Sequence, residues 1–113
     1  MFTKHKLDTI AVNTSFLLKL FKYLKPNGKF LYISSSEVYS GATPSHTEEM
    51  IGTTTPQHPR ACYIEGKRCG EAICTAYREQ GYYVKIARLA LAYGPGTKAH
   101  DTRVINEFIE KNI

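Results

Sequence analysis

Three observations in the sequence predict an α/β fold with a parallel, doubly wound sheet. Helical and extended hydrophobic patterns alternate along the chain, two strand-like apolar runs flank a long helix-patterned segment, and both runs break off into polar or turn-forming residues. Strands joined through helices pair in parallel by right-handed crossovers, and such sheets bind ligands beyond the carboxyl ends of their strands. At 113 residues the chain suits one small domain, which is small for a complete cofactor enzyme.

The first element is an amphipathic helix. Ile10, Leu17, Phe21 and Leu24 recur at helical spacing, while Lys19, Lys22 and Lys25 project elsewhere. Those lysines interrupt the apolar stretch and no small-residue cleavage site follows, so the segment reads as a helix packed on a sheet rather than a signal peptide or a membrane anchor. It should stop at "KPNGK", where Pro26 restricts the preceding residue and Asn27-Gly28 supply turn conformations. "KFLYIS" then predicts a strand buried on both faces.

From Gly41 to Pro59 the chain is rich in Thr, Pro, Ser and Gly, a loop of the length that often carries function. "RACYIEGKRCGEAICTAYREQG" predicts the next helix, with Cys69, Ala72, Ile73, Ala76 and Tyr77 on one stripe and Gly81 as the residue that ends it. "YYVKIARLALAYG" predicts a second strand. The turn "GPG" and a last amphipathic segment with Val104, Ile105, Phe108 and Ile109 close the order.

Composition excludes several classes. The net charge is +5, but Lys and Arg are scattered rather than gathered into a run or an aromatic-interleaved patch, which argues against nucleic acid. A mild basic excess suits a phosphorylated small substrate or simply a solvated surface. Cys62, Cys69 and Cys74 are odd in number and contain no Cys-x-x-Cys pair, so they read as reduced thiols in a cytoplasmic protein. His5, His46, His58 and His100 lack metal-ligand spacing, and no metal is expected.

The chemistry gathers at "SSSEVY" and "YIEGK". Tyr63 and Lys67 are four apart in a predicted helix and share one face. A phenol with an ordinary pKa of about 10 is a poor base, but a neighbouring positive charge favours the phenolate, which makes such a tyrosine a candidate base for a hydroxyl proton. A serine hydroxyl at the strand end can orient the reacting oxygen. Alcohol oxidation also needs a hydride acceptor that no side chain provides, so a nicotinamide cofactor is implied, with Lys67 in reach of its ribose. A Tyr-x-x-x-Lys pair alone occurs in many helices by chance, and Glu37 alone reads equally as a solvated carboxylate. Their joint setting after a buried strand and a long loop is what points to a site.

On these residues the sequence resembles the extended short-chain dehydrogenase/reductases, the NAD-dependent epimerase/dehydratase family acting on nucleotide sugars. "AVNTSFLLKLFKYL" is similar to that family's helix before the catalytic strand, "FLYISSSEVYSG" to the strand itself, "YIEGK" to its Tyr-x-x-x-Lys motif and "ARLALAYGPG" to its following strand. "SSSEVY" and "PRACYIEGKR" look most like the UDP-glucuronate decarboxylase group, with Ile64 the main difference. The resemblance implies a partial Rossmann-like sheet in which residues 1–113 are a central catalytic segment. It implies a fragment without the amino-terminal Gly-rich half and most of the carboxyl-terminal substrate domain, and no G-x-x-G-x-x-G occurs in the chain.

The resemblance also implies roles. Ser35, Ser36, Glu37, Tyr63 and Lys67 would be catalytic, Tyr63 and Lys67 would also bind NAD, and Ser36, Glu37 and Arg103 would contact a UDP-sugar. C4 oxidation, decarboxylation of the resulting β-keto acid and re-reduction would be the reaction. A 4,6-dehydratase or 4-epimerase is the alternative within the family; Ser36 weakens a dehydratase of the dTDP-glucose type, in which an Asp-Glu pair stands at these two positions. A non-catalytic dimerisation module is the alternative outside catalysis. The family's homodimer contact would run through the helices around Leu17 and Ile73. Leu91 stands where many relatives have asparagine, and Ser40 where glycine is usual.

Overall fold

A computed structural model of the chain describes residues 4–42 and 47–90. The order is α1 (Lys6–Asn13), α2 (Ser15–Phe21), β1 (Lys29–Ser35), a 3-10 turn (Ser36–Tyr39), α3 (Ala61–Glu79) and β2 (Tyr83–Leu89). β1 and β2 pair in parallel, from Lys29 opposite Tyr83 to Ser35 opposite Leu89. The expected α/β class with a parallel sheet is therefore present. The "GPG" turn, the segment around Val104 to Ile109, Leu91 and Arg103 lie outside the described residues.

The single amino-terminal helix of the periodicity reading is two helices. Thr9 Oγ1, Asn13 Nδ2, Thr14 Oγ1 and Ser15 Oγ each donate to the carbonyl four residues earlier, at 2.6, 2.8, 2.8 and 3.3 Å. Such back-bonding competes with the helical ladder and bends it. Thr14 accordingly leaves helical geometry (φ −125°, ψ −88°) and starts α2. The helical run also ends at Phe21, before Pro26; Pro26 and Asn27 instead form a tight turn in which Asn27 has φ 66° and Gly28 N–H donates to Lys25 O at 2.8 Å.

The end of α3 follows the sequence closely. Gly81 has φ 93°, its N–H donates to Arg78 O at 3.0 Å, and Tyr82 N–H donates to Tyr77 O at 3.1 Å, the paired bonds of a Schellman cap. The Tyr77 and Tyr82 rings meet edge to face at 5.3 Å, closing the cap with an apolar contact.

The helices pack on one face of the sheet. Leu17, Phe21, Tyr32, Cys74 and Val84 form the core, flanked by Leu24, Phe30, Ile73, Tyr77 and Ile86. Phe21 stacks on Tyr77 at 3.9 Å and tilts against Phe30 at 4.7 Å. β1 is not buried on both faces as its apolar run predicts: Leu31 and Ile33 are 58% and 44% exposed, because the described helices all cover the opposite face. The helical stripe holds for Ile73 and Tyr77, which pack against the core, and differs at its other positions. Cys69, Ala72 and Ala76 are exposed, whereas the buried positions of α3 are Ala61, Ile64, Gly66, Gly70 and Cys74. Periodicity scoring follows bulky apolar residues and passes over glycines, yet here glycines make the contact.

A Cβ at Gly70 would lie 2.1 Å from Tyr32 Oη and 3.0 Å from Asn13 O, and one at Gly66 would lie 3.3 Å from Asn13 Cβ. α3 can therefore approach α1 and cover Tyr32 only without side chains at these positions. Gly70→Ala should lower unfolding stability by about 1–3 kcal/mol, the usual cost of overpacking a core. Gly66→Ala should cost less, and urea denaturation of the two variants checks the order.

Candidate active site

The site forms where β1 ends. Ser35, in extended geometry and 8% exposed, accepts the Glu37 N–H on its Oγ at 3.2 Å and so caps the 3-10 turn. This is why the apolar strand gives way to serines: a small hydroxyl satisfies an orphan amide where the chain turns. Ser36 is exposed and Glu37 half-buried. The loop beyond folds back on the turn, with Gly52 N–H donating to Val38 O at 3.1 Å and Thr54 Oγ1 to Ser40 O at 3.0 Å. Gly41 (φ 86°) and Gly52 permit that crossing, since a Cβ at either would meet backbone within about 2 Å.

α3 begins beside this turn. Arg60, immediately before the helix, makes a two-pronged ion pair with Glu37, its Nε donating to Oε2 at 2.8 Å and its Nη2 to Oε1. The Arg60 guanidinium also lies 5.6 Å from the centre of the Tyr63 ring. Hydrogen bonding to Glu37 holds Arg60 firmly charged against the cost of partial burial. One turn further along, Lys67 Nζ donates to Ile33 O at 2.8 Å and stands 5.9 Å from the Tyr63 ring centre. Burial lowers the Lys67 pKa from its ordinary value.

The structure thus brings Ser35, Glu37, Tyr63 and Lys67 to one end of the sheet, with Ser36 at its exposed rim. Arg103 lies outside the described residues. Residues that the sequence reading passed over hold these in place. Arg68 Nε and Nη2 donate to Val38 O at 3.1 and 2.8 Å, Nη2 also to Ser40 O at 3.1 Å, and Nη1 to Glu65 Oε1 at 2.7 Å. Arg88 of β2 pairs with Glu71 of α3 at 2.9 and 2.7 Å and donates to Tyr39 Oη at 2.7 Å and Glu48 O at 2.6 Å. Asn13 accepts the Tyr32 hydroxyl at 3.1 Å. The available signal was the run of arginines around the motif and in the second strand, too common a residue to mark a clamp by itself.

Ionisation follows this wiring. Burial opposes the charge on Glu71, but hydrogen bonds from Arg88, assisted by the Ser34 hydroxyl close by, win and lower its pKa. Hydrogen bonding to Glu71 raises that of Arg88. Burial pushes the Cys74 thiol up to about 11 and also raises Tyr32, so both stay neutral in the core at physiological pH.

Among the described residues the hydroxyl, phenol and ammonium groups fit the ribose and reacting oxygen of a nicotinamide-dependent oxidation: Lys67 spends one N–H on Ile33 O and its ammonium has others to give. They do not include a Gly-rich turn for a pyrophosphate. No group of three or more metal-ligating side chains occurs among them, and no helix among the described residues is long and apolar enough to cross a membrane.

The sequence model of the NAD dependent epimerase/dehydratase family matches residues 3–112. UDP-glucuronic acid decarboxylase 1 of Xenopus tropicalis is 39% identical over 107 residues, covering 91% of this chain and 25% of that protein. UDP-glucuronic acid decarboxylase 6 of Arabidopsis thaliana is 36% identical over 110 residues, covering 95% of this chain and 32% of its own length. The structure of RMD from Pseudomonas aeruginosa complexed with NADPH superposes with a TM-score of 0.77 at 31% identity, over 97% of this chain and 38% of that one. The chain spans about a quarter to a third of the length of these curated relatives.

The Glu71–Arg88 pair gives a pH-dependent contribution to stability. Because the folded Glu71 pKa is lowered, its contribution is present above the ordinary carboxylate pKa of about 4.3 and is lost as pH falls through the folded value. Glu71→Gln should therefore destabilise the protein at pH 7 and flatten the fall in stability below about pH 4. Thermal melts from pH 3 to pH 7 measure both effects.

Proposed function

Because the chain belongs to the NAD dependent epimerase/dehydratase family, we propose that it is the central catalytic segment of a nucleotide-sugar enzyme that decarboxylates UDP-glucuronate. The observation that carries the reading is the meeting of two segments. The end of β1 delivers Ser35 and Glu37 against the first turns of α3, where Arg60 joins Glu37 to the Tyr63 ring and Lys67 reaches back to Ile33 O. The identity with UDP-glucuronic acid decarboxylases selects the reaction within the family.

In this reading Tyr63 removes the proton of the sugar C4 hydroxyl. Lys67 supplies positive charge beside the phenol, and Ser35 hydrogen-bonds the reacting oxygen. Tyr63 and Lys67 would hold NAD at its ribose, and the bound cofactor would supply the hydride acceptor for C4 and the donor that later restores the alcohol. The 4-keto sugar acid formed in between is a β-keto acid and loses carbon dioxide as the electrons of the broken C5–C6 bond pass into the ketone as an enolate. The enolate takes a proton from solvent at C5 to give the ketone that is then reduced. Ser36 and Glu37 face the C5 and carboxyl region, with Arg103 as a further contact to the sugar nucleotide. Arg60 holds the Glu37 carboxylate at the start of α3.

A homodimer through the outward sides of the same helices belongs to this reading. Leu17 is not its contact, because it is 4% exposed and packed in the chain's own core; Val12 and Phe16, 61% and 59% exposed, face outward instead. Val12→Glu with Phe16→Glu should convert a dimer to a monomer in sedimentation, and an unchanged mass would exclude this face.

Tyr63→Phe should lower turnover of UDP-glucuronate to UDP-xylose by at least about 100-fold in the protein that carries this chain, with the circular dichroism spectrum unchanged. Product chromatography and carbon dioxide release measure it. Retained turnover would remove Tyr63 from its role, and a wild-type protein that converts another nucleotide sugar but not UDP-glucuronate would overturn the choice of reaction.

A further inference from the structure

A lysine side chain is a flexible four-carbon stem, and an ammonium that must act beside one phenol has to be held. Two consecutive residues of β1 do this for Lys67. The Ile33 carbonyl accepts a hydrogen bond from Nζ at 2.8 Å, and the Tyr32 ring lies beneath the same Nζ at 5.0 Å from its centre. An ammonium within about 6 Å of an aromatic face is attracted by the ring quadrupole, the more strongly when partly desolvated. We infer that Tyr32 is a positioning residue for Lys67, its ring face supporting the ammonium and its hydroxyl, anchored on Asn13, fixing the ring.

The anchoring is specific. Tyr32 is 7% exposed and its hydroxyl donates to Asn13 Oδ1 at 3.1 Å. Asn13 is itself 8% exposed, and its Nδ2 donates to Thr9 O at 2.8 Å, which turns the amide so that its oxygen faces the phenol. At the hydroxyl end of the ring, Gly70 leaves the space that the Tyr32 hydroxyl occupies. A Phe or Leu would have filled a core position without the hydrogen bond, and Leu would also have lost the aromatic face. Because Tyr32 lies three residues before Ser35 on one strand, the same backbone sets the ammonium and the serine hydroxyl relative to each other.

The inference rests on Lys67 acting as proposed above, and its test separates the two. In the purified protein, the Lys67 ε-methylene NMR signals, assigned through Lys67→Arg, should lie upfield of those of Lys19 and Lys22 because of the ring current. The shift should persist in Tyr32→Phe and in Tyr63→Leu, the Tyr63 ring lying farther from Nζ at 5.9 Å, and should largely disappear in Tyr32→Leu. Absence of the shift in the wild type, or its survival in folded Tyr32→Leu, would overturn the inference. The wild-type measurement decides even where Tyr32→Leu does not fold. In turnover, folded Tyr32→Leu should lose kcat on the order of tenfold at unchanged KM, with most of it restored in Tyr32→Phe; an undiminished kcat in Tyr32→Leu would count against the role. Full turnover in Lys67→Met would instead remove Lys67 from the reaction while leaving the NMR result as it stands.

Discussion

The close approach of α1 and α3 over Tyr32 is the constraint on which the site depends. Gly66 and Gly70 remove the side chains that would hold the helices apart, and Asn13, at the break between α1 and α2, meets the phenol that fills the remaining space. If α3 moved outward by the width of one methyl group, Lys67 would leave the Ile33 carbonyl and the Tyr32 ring together. A buried contact between helices thus sets the position of a half-buried charge.

Around that contact the turn after β1 is held chiefly by arginines. Arg60 grips Glu37, Arg68 gathers the carbonyls of Val38 and Ser40, and Arg88 reaches from β2 to Tyr39 and Glu48 while paired with Glu71. A guanidinium suits this work because its planar donors are always charged and can serve several acceptors at once. Arg68 donates to the Val38 carbonyl within the 3-10 turn and the Ser40 carbonyl just beyond it, from the helix that also carries Tyr63 and Lys67. Local order at the strand end is therefore imposed from α3 and β2 as well as by the Ser35 cap and the loop that folds back on the turn.

Parts of this were legible from local chemistry. The Schellman cap at Gly81, the turn at Asn27 and the pairing of Tyr63 with Lys67 each depend on residues a few positions apart, and spacing alone specifies them. The helix break at Thr14 was local too, but it arises from four side chains returning to their own backbone, which hydrophobic periodicity does not register. The choice of buried stripe on α3 was not local. It was decided by Tyr32 and Asn13 from distant parts of the chain, so the exposed Cys69, Ala72 and Ala76 carry the more apolar pattern and the glycines carry the contact.

The sequence by itself determined the alternation of helix and strand, the turn residues between them, and the set of hydroxyl, carboxylate, phenol and ammonium groups at the strand end. These follow from backbone preferences and from periodicities within each element. Only the tertiary structure decided that Glu37 is tied to Arg60, that Lys67 lies between a carbonyl and an aromatic ring, that Leu17 turns inward and that Leu31 and Ile33 of β1 face away from the described helices. Those outcomes are contacts between residues 23 or 34 positions apart, or the burial that distant packing leaves. Their energies depend on which faces the packing brings together, a property that no single segment of the chain possesses.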